Sequence, residues 1–181
     1  MGVEEAASVA RGVLADELPR RWAHTRGVAG RARLLAAMLG EQAGRVEVAA
    51  WLHDIGYSSA VRSTGFHPLD GARYLRDVLD VDEVVCRLVA HHTGAMIEAE
   101  ERGIAELGAE FELPDHQLLE ALTYCDLTAD VRGCTVGVED RLSEILSRYP
   151  RDHVVHRSIL RSGPALRMAA RNVQRRLAAG A

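Results

Sequence analysis

The chain has no lysine, few aromatic residues, three cysteines and no long apolar run, and each shortage excludes something. All 22 basic residues are arginine, set against 26 acidic ones for a formal net charge of −4. That balance argues against a general basic surface for gripping a nucleic-acid polymer. The absence of lysine, with abundant Ala and Gly, reads as codon bias and carries no functional information. Aromatics make up 4% of the residues and hydrophobic ones 48%. The core must therefore be built mostly from Ala, Val and Leu, which suits closely packed helices. Cys86, Cys125 and Cys134 are odd in number and lack CxxC spacing, so a reducing interior is expected rather than a disulfide framework. Glu4, Glu5, Arg11 and Asp16 interrupt the N-terminal alanines, which speaks against a signal-peptide core. No apolar run approaches the ~18 residues needed to span a bilayer. A cytoplasmic protein with no membrane partner is the expectation.

What is present is helical periodicity. At 181 residues the chain suits one domain with one substantial core, at roughly 150 residues per domain. A first helix over Val3 to Leu14, closed by Pro19, is followed by a second from Arg20 to Leu39, with Gly40 as its stop. In that second helix His24 extends an apolar stripe through Val28, Leu35 and Met38. Between Arg45 and Asp54, Val46, Ala49, Ala50 and His53 stand at i, i+3, i+4 and i+7, one buried face. Gly56 ends this helix, and Tyr57 to Phe66 reads as a loop or short helical turn.

His67-Pro68-Leu69-Asp70 opens the next helix, with proline at a favoured early position and Asp70 complementing the helix dipole. Gly71 there permits close approach of another backbone. Asp82 caps a helix that leads through Val84, Val85 and Leu88 to His91 and His92. Ala95 to Leu107 reads as one charged, solvent-facing helix. Asp115 caps another, where Leu119, Leu122 and Asp126 share a stripe. Helices over about 138–147 and 151–178 complete the chain, the last packing on the core through interleaved Ala, Leu and Val. With no alternating strand pattern, the expected fold is all-α.

Five segments thus deliver His24, His53-Asp54, His67, His91/His92 and Asp126 from the ends or inner faces of helices. A single histidine on an apolar face is more often a hydrogen-bonded core residue. Five such segments would require several independent coincidences. Imidazole with carboxylate suits Mn, Fe, Co, Ni or Zn, and a phosphate substrate makes Mg suitable too. Adjacent side chains diverge by about 100° around a helix, so His53 and Asp54 can address different sides of one metal or two different ions. Only a carboxylate can bridge two ions, which makes Asp54 the natural bridge in a dinuclear site.

The order His24, His53-Asp54, Asp126 resembles the H…HD…D pattern of the HD superfamily of metal-dependent phosphohydrolases, over roughly Trp22 to Asp130. The strings His67-Pro-Leu-Asp-Gly-Ala-Arg and Ala-His91-His92-Thr-Gly are similar to the six-ligand branches. These include bacterial dinucleoside tetraphosphate hydrolases and, more distantly, HD-GYP phosphodiesterases and HD diiron oxygenases. The resemblance implies a single-domain helical bundle of the HD type, with a catalytic core over about 20–131 and a helical extension over about 138–178. It implies two divalent ions held by His24, His53, Asp54, His67, His91 and Asp126, with His53 and Asp54 at the catalytic centre. Neighbouring histidines cannot point the same way on a helix. The resemblance matches the first to the ligand position, which leaves His92 for substrate, a second metal or a neighbouring helix.

Two departures bear on function. Tyr57 stands after Ile55-Gly56, where many relatives carry a lysine soon after the His-Asp pair. Thr93-Gly94-Ala95-Met96 replaces the long HD-GYP signature, which speaks against cyclic-di-GMP hydrolysis in that form. The implied reaction is hydrolysis of a nucleotide or other small phosphate ester by metal-activated water. Arg62, then Arg73, are the candidate cations for the transferring phosphoryl group. A diiron oxygenase using the same ligands, or a nucleotide-binding regulator without turnover, are the alternatives. Homo-oligomerisation stays open. Asp130 is read either as orienting a ligand or as a solvated acid, Cys125 as a small buried hydrophobe, and His116, His153 and His156 as surface residues.

Overall fold

Small side chains set how closely the helices approach. The computed structural model describes residues 1–180. Its helices are α1 (Val3–Leu14), α2 (Pro19–Leu34), α3 (Ala36–Leu39), α4 (Ala43–Leu52), α5 (His67–Asp77) and α6 (Glu83–His91). They continue with α7 (Ala95–Arg102), α8 (Glu106–Glu110), α9 (His116–Leu127), α10 (Val138–Arg148) and α11 (Val154–Ala179). No strand forms among the described residues beyond an isolated bridge between Ala129 and Thr135, so the fold is all-α. No described helix is long and apolar enough to cross a membrane.

The centre of the bundle is α4. It packs against α1, α2, α6 and α9, while α5 pairs with α6 and α11 lies along α7 and α9. Ala6, Ala10, Ala29, Ala49, Ala50, Ala90 and Ala121 are fully buried at these contacts, the consequence of an interior poor in aromatics. A second, smaller cluster of Leu127, Leu142, Ile159 and Leu166 fastens α10 and α11 to the end of α9. Full burial of each such side chain is worth about 2 kcal/mol.

Several boundaries differ from the periodic reading. The second helix stops at Leu34 and the chain turns at Leu35 before the short α3, with Gly40 at φ +54° beyond it. The expected helix from Ala95 to Leu107 is divided, because Gly103 adopts a left-handed conformation at φ +72°. Asp82 and Asp115 do cap α6 and α9, accepting from Val84 N and from Gln117 N and Leu118 N.

Two carboxylates hold the loop between α4 and α5. Glu17 accepts from Ser58 Oγ at 3.1 Å and from Ser59 N at 3.0 Å. Buried Asp70 reaches back from the first turn of α5 and accepts from the backbone N–H groups of Ser63, Thr64 and Gly65 at 3.1, 2.9 and 2.9 Å. The hydroxyls of Ser63 and Thr64 also donate to it. Asp70 therefore organises the approach to His67 as well as complementing the helix dipole.

Close backbone approach fixes two further junctions. A Cβ on Gly56 would lie 2.1 Å from His67 O and 2.8 Å from Gly71 N, so the turn after α4 sits directly on the start of α5. A Cβ on Gly27 would meet Gly133 Cα at 2.5 Å, which lets the loop after α9 lie against α2.

Gly56→Ala is expected to cost at least about 2 kcal/mol in chemical denaturation, because backbone cannot retreat as a flexible side chain can; a variant within about 0.5 kcal/mol of the parent would contradict this packing. Burial alone would raise the Asp70 pKa, but the Thr64, Ser63 and Gly65 hydrogen bonds outweigh it and hold the carboxyl below its ordinary range. A depressed folded-state pKa stabilises above the unfolded value of about 3.9 and is lost as pH falls through the folded value. Asp70→Asn, which faces donors with a partly donating amide, should cost about 2 kcal/mol at pH 7. Unfolding titrations should show the gap from the parent closing as the pH drops below about 4; a gap independent of pH would count against the proposed bonding.

Candidate metal centre

Two helices end in the same local device. His53 closes α4 and its Nδ1 donates to Ala50 O at 2.8 Å. His92 follows α6 and its Nδ1 donates to Val89 O at 2.7 Å. Each carbonyl belongs to a last helical turn, where intrahelical partners run out. Since a carbonyl can only accept, the proton of each neutral ring sits on Nδ1 and Nε2 carries a lone pair. The same holds for His24, whose Nδ1 lies 3.1 Å from Asp130 O. The Gly27–Gly133 contact brings that carbonyl within reach.

These Nε2 atoms face acceptors. His24 Nε2 lies 2.9 Å from Asp126 Oδ1, and His53 Nε2 is buried with no hydrogen-bond partner. Together His24, His53 and Asp126 form one group of mutually close ligand atoms, and Asp54, His67 and His92 form another. His67 Nε2 and His92 Nε2 are 3.2 Å apart. Asp54 stands between the groups: Oδ2 lies 3.4 Å from His53 Nε2 and 4.0 Å from His24 Nε2, and Oδ1 lies 3.6 Å from His67 Nε2. Lone pairs brought together away from water require a proton or a cation between them. Either cluster could hold a metal ion, and the nitrogen and oxygen donors fit a divalent transition metal.

The surrounding charges suit that state. Burial would raise the Asp54 carboxyl, yet the Arg21 guanidinium at 2.9 Å and His53 hold it well below the carboxylate range. Asp126 is held low against burial chiefly by His24. Burial, followed by the charge of His92, keeps the His67 pKa well below the ordinary imidazole value. Burial and His53 likewise lower His92. His53 moves the other way, since Asp54 outweighs its burial. Neutral His67 and His92 are in the protonation state that metal binding requires.

The histidine pair corrects the sequence expectation. His91 turns away from both clusters, and its Nε2 donates to Phe111 O at 2.8 Å. It lies on the wall of a separate apolar cavity of about 510 Å³ between α7, α9 and α11. His92 occupies the cluster because α6 ends at the pair and the chain leaves the helix there, with Thr93 at φ +46°. The signal was available: Val85, Leu88, Val89 and His92 repeat the i, i+3, i+4, i+7 spacing of Val46, Ala49, Ala50 and His53.

The two candidate phosphate cations are displaced as well. Arg62 is exposed at the loop surface, and Arg73 on α5 is held by Glu110, with Nε to Oε2 at 2.9 Å; neither lines the cavity beside the clusters. Arg21, three residues before His24 on the same helical face, stands nearer. Its guanidinium lies 3.9 Å from the Tyr57 ring centroid, and that ring stacks on His67 at 3.9 Å. A cation therefore reaches the position beside Asp54 although no lysine follows the His-Asp pair. Thr93 Oγ1 donates to Asp126 Oδ2. Asp130 contributes its carbonyl to His24, while its carboxylate binds Arg132 and Cys134 N. Cys125 is buried, and burial pushes its thiol up to about 12.

A cavity of about 90 Å³ opens beside the clusters, bounded by Asp54, His67, His92 and Asp126 on one side and by residues of α10 and α11 on the other. Among known protein families, the HD domain matches residues 21–129. No curated protein and no solved structure gives a significant match. The matched span includes every member of both clusters and ends before α10. Ligand order, helical fold and family match agree: the chain belongs to the HD-domain family, whose members are typically metal-dependent hydrolases.

Proposed function

We infer that the protein is a metal-dependent phosphohydrolase acting on a nucleotide or other small phosphate ester. The observation that carries this reading is the inward convergence of imidazole Nε2 lone pairs on Asp54 and Asp126, with three rings oriented by backbone carbonyls. In this reading His24, His53 and Asp126 would hold one divalent ion, and Asp54, His67 and His92 would hold a second. Such ions would supply hydroxide at neutral pH and polarise a phosphoryl oxygen.

The chain's own residues prepare the site. Arg21 balances the Asp54 charge and, through the ring of Tyr57, is stacked in series with His67. Burial keeps the Tyr57 hydroxyl protonated far above neutrality. Thr93 holds one oxygen of Asp126 and leaves the other facing His24. The core at about 20–131 and the helical extension at about 138–178 act as one domain, since the cavity has walls from both.

Protein purified without added metal should carry two divalent ions per chain by elemental analysis, and His67→Ala should carry one. Ions at a hundred times their dissociation constant should stabilise the fold by about 2.7 kcal/mol, seen as a higher melting temperature that chelation reverses. His53→Ala and Asp54→Ala should each lower phosphoester hydrolysis at least a hundredfold. Assays under anaerobic conditions separate this reading from an oxygenase. A folded, fully metal-loaded sample inactive on monoesters, diesters and nucleotides would rule the reading out.

A further inference from the structure

The family match ends at residue 129, yet six of the sixteen residues that line the cavity lie beyond it. Arg141, Ile145, Arg148 and Tyr149 reach it from α10 and its end, and Val155 and Ile159 from α11. Arg141 is unlike the other arginines of the extension because it is buried, at 5% exposure. Its Nη1 donates to Glu144 Oε2 at 2.7 Å, and its Nε–H has no hydrogen-bond partner. A buried guanidinium N–H is costly to leave unpaired, so this group is suited to receive an added acceptor.

The same Glu144 also receives Arg148, with Nε at 2.7 Å from Oε1. One carboxylate thus restrains two guanidinium groups, and a net positive charge faces the clusters from the extension. Glu98 of α7, which lines the cavity outside the clusters, is engaged by Arg102 at 2.8 Å. Across the cavity Arg21 is already committed to Asp54. Arg141 is therefore the buried cation with an unpaired N–H beside the clusters. A planar fork of N–H donors is the group that matches phosphate oxygens.

We propose that Arg141, braced by Glu144 and seconded by Arg148, binds the phosphoryl group of the substrate, and that the substrate is a phosphomonoester entering by its terminal phosphate. The proposal rests on the hydrolase reading above. At about 90 Å³ the cavity is smaller than the roughly 150 Å³ cavity that admits benzene. It is open to solvent on one side, so a phosphoryl group can enter while the rest of the substrate stays outside, and Ile145, Val155 and Ile159 offer no hydrogen bonds to a sugar or base. A diester needs space for substituents on both sides of phosphorus. A monoester presents three unesterified oxygens at one end and leaves its body outside. In the reaction a water oxygen forms a bond to phosphorus as the ester P–O bond breaks. The leaving alkoxide takes a proton from that water, and an alcohol and inorganic phosphate are released.

The test uses metal-loaded full-length protein, with inorganic phosphate as the calorimetric probe and p-nitrophenyl phosphate and bis(p-nitrophenyl) phosphate as substrates. Arg141→Met should weaken phosphate binding at least tenfold, with metal content and melting temperature unchanged. Arg141→Lys, which keeps the charge without the fork, should fall between, and serves if the methionine variant does not fold. The KM for the monoester should rise in parallel, and the parent should prefer the monoester. Unaltered phosphate affinity in both variants, or faster turnover of the diester, would overturn the proposal. Arg141-dependent phosphate binding in a protein that hydrolyses neither ester would support the phosphate site and refute the hydrolase reading instead.

Discussion

Everything at the centre depends on three hydrogen bonds from imidazole Nδ1 to backbone carbonyls. They fix which nitrogen of His24, His53 and His92 carries the proton and therefore which one faces inward. Without them each ring could rotate or change tautomer, and the lone pairs would not converge. Two of the three carbonyls lie in the last turns of α4 and α6. Helix ends are normally a difficulty, because several acceptors lack partners there. Here those acceptors aim the inward-facing nitrogens. The bundle around them, packed through alanine contacts, keeps the helix ends at the separation the clusters require.

The fold class was legible in the sequence because apolar spacing of three and four residues persists through nearly every segment. His53 and Asp126 were legible for the same reason, as polar ends of buried stripes. His92 was legible in principle, since its stripe through Val85, Leu88 and Val89 duplicates that of His53. Family resemblance favoured its neighbour instead, and a one-residue difference on a helix swings a side chain by about 100°. The true helix end is set by a left-handed Thr93, which few residue types other than glycine mark in advance.

The cations were the least legible part. Arg62 and Arg73 are near the clustered histidines in sequence but lie away from the cavity in space. Arg21 and Arg141 are respectively 33 and 87 positions from Asp54 in the numbering yet stand on its cavity. Nothing local distinguishes Arg141 from the many other arginines of the C-terminal region, because its burial follows from how α10 packs on the rest of the bundle. Loop organisation was similarly hidden. Asp70 advertises a helix start, but its bonding to Ser63, Thr64 and Gly65 depends on the chain doubling back.

The small cluster of Leu127, Leu142, Ile159 and Leu166 fastens the extension to the end of α9, one residue beyond Asp126. That seam divides the molecule into parts that can change at different rates. Substitutions in α10 and α11 can reshape the cavity roof without touching an inward-facing imidazole, provided the seam keeps its volume. Changes within α4 or α6 have no such freedom, since moving either helix end rotates a ring away from the centre. The architecture therefore lets the cavity roof vary apart from the imidazole clusters, with four apolar side chains as the hinge between the two.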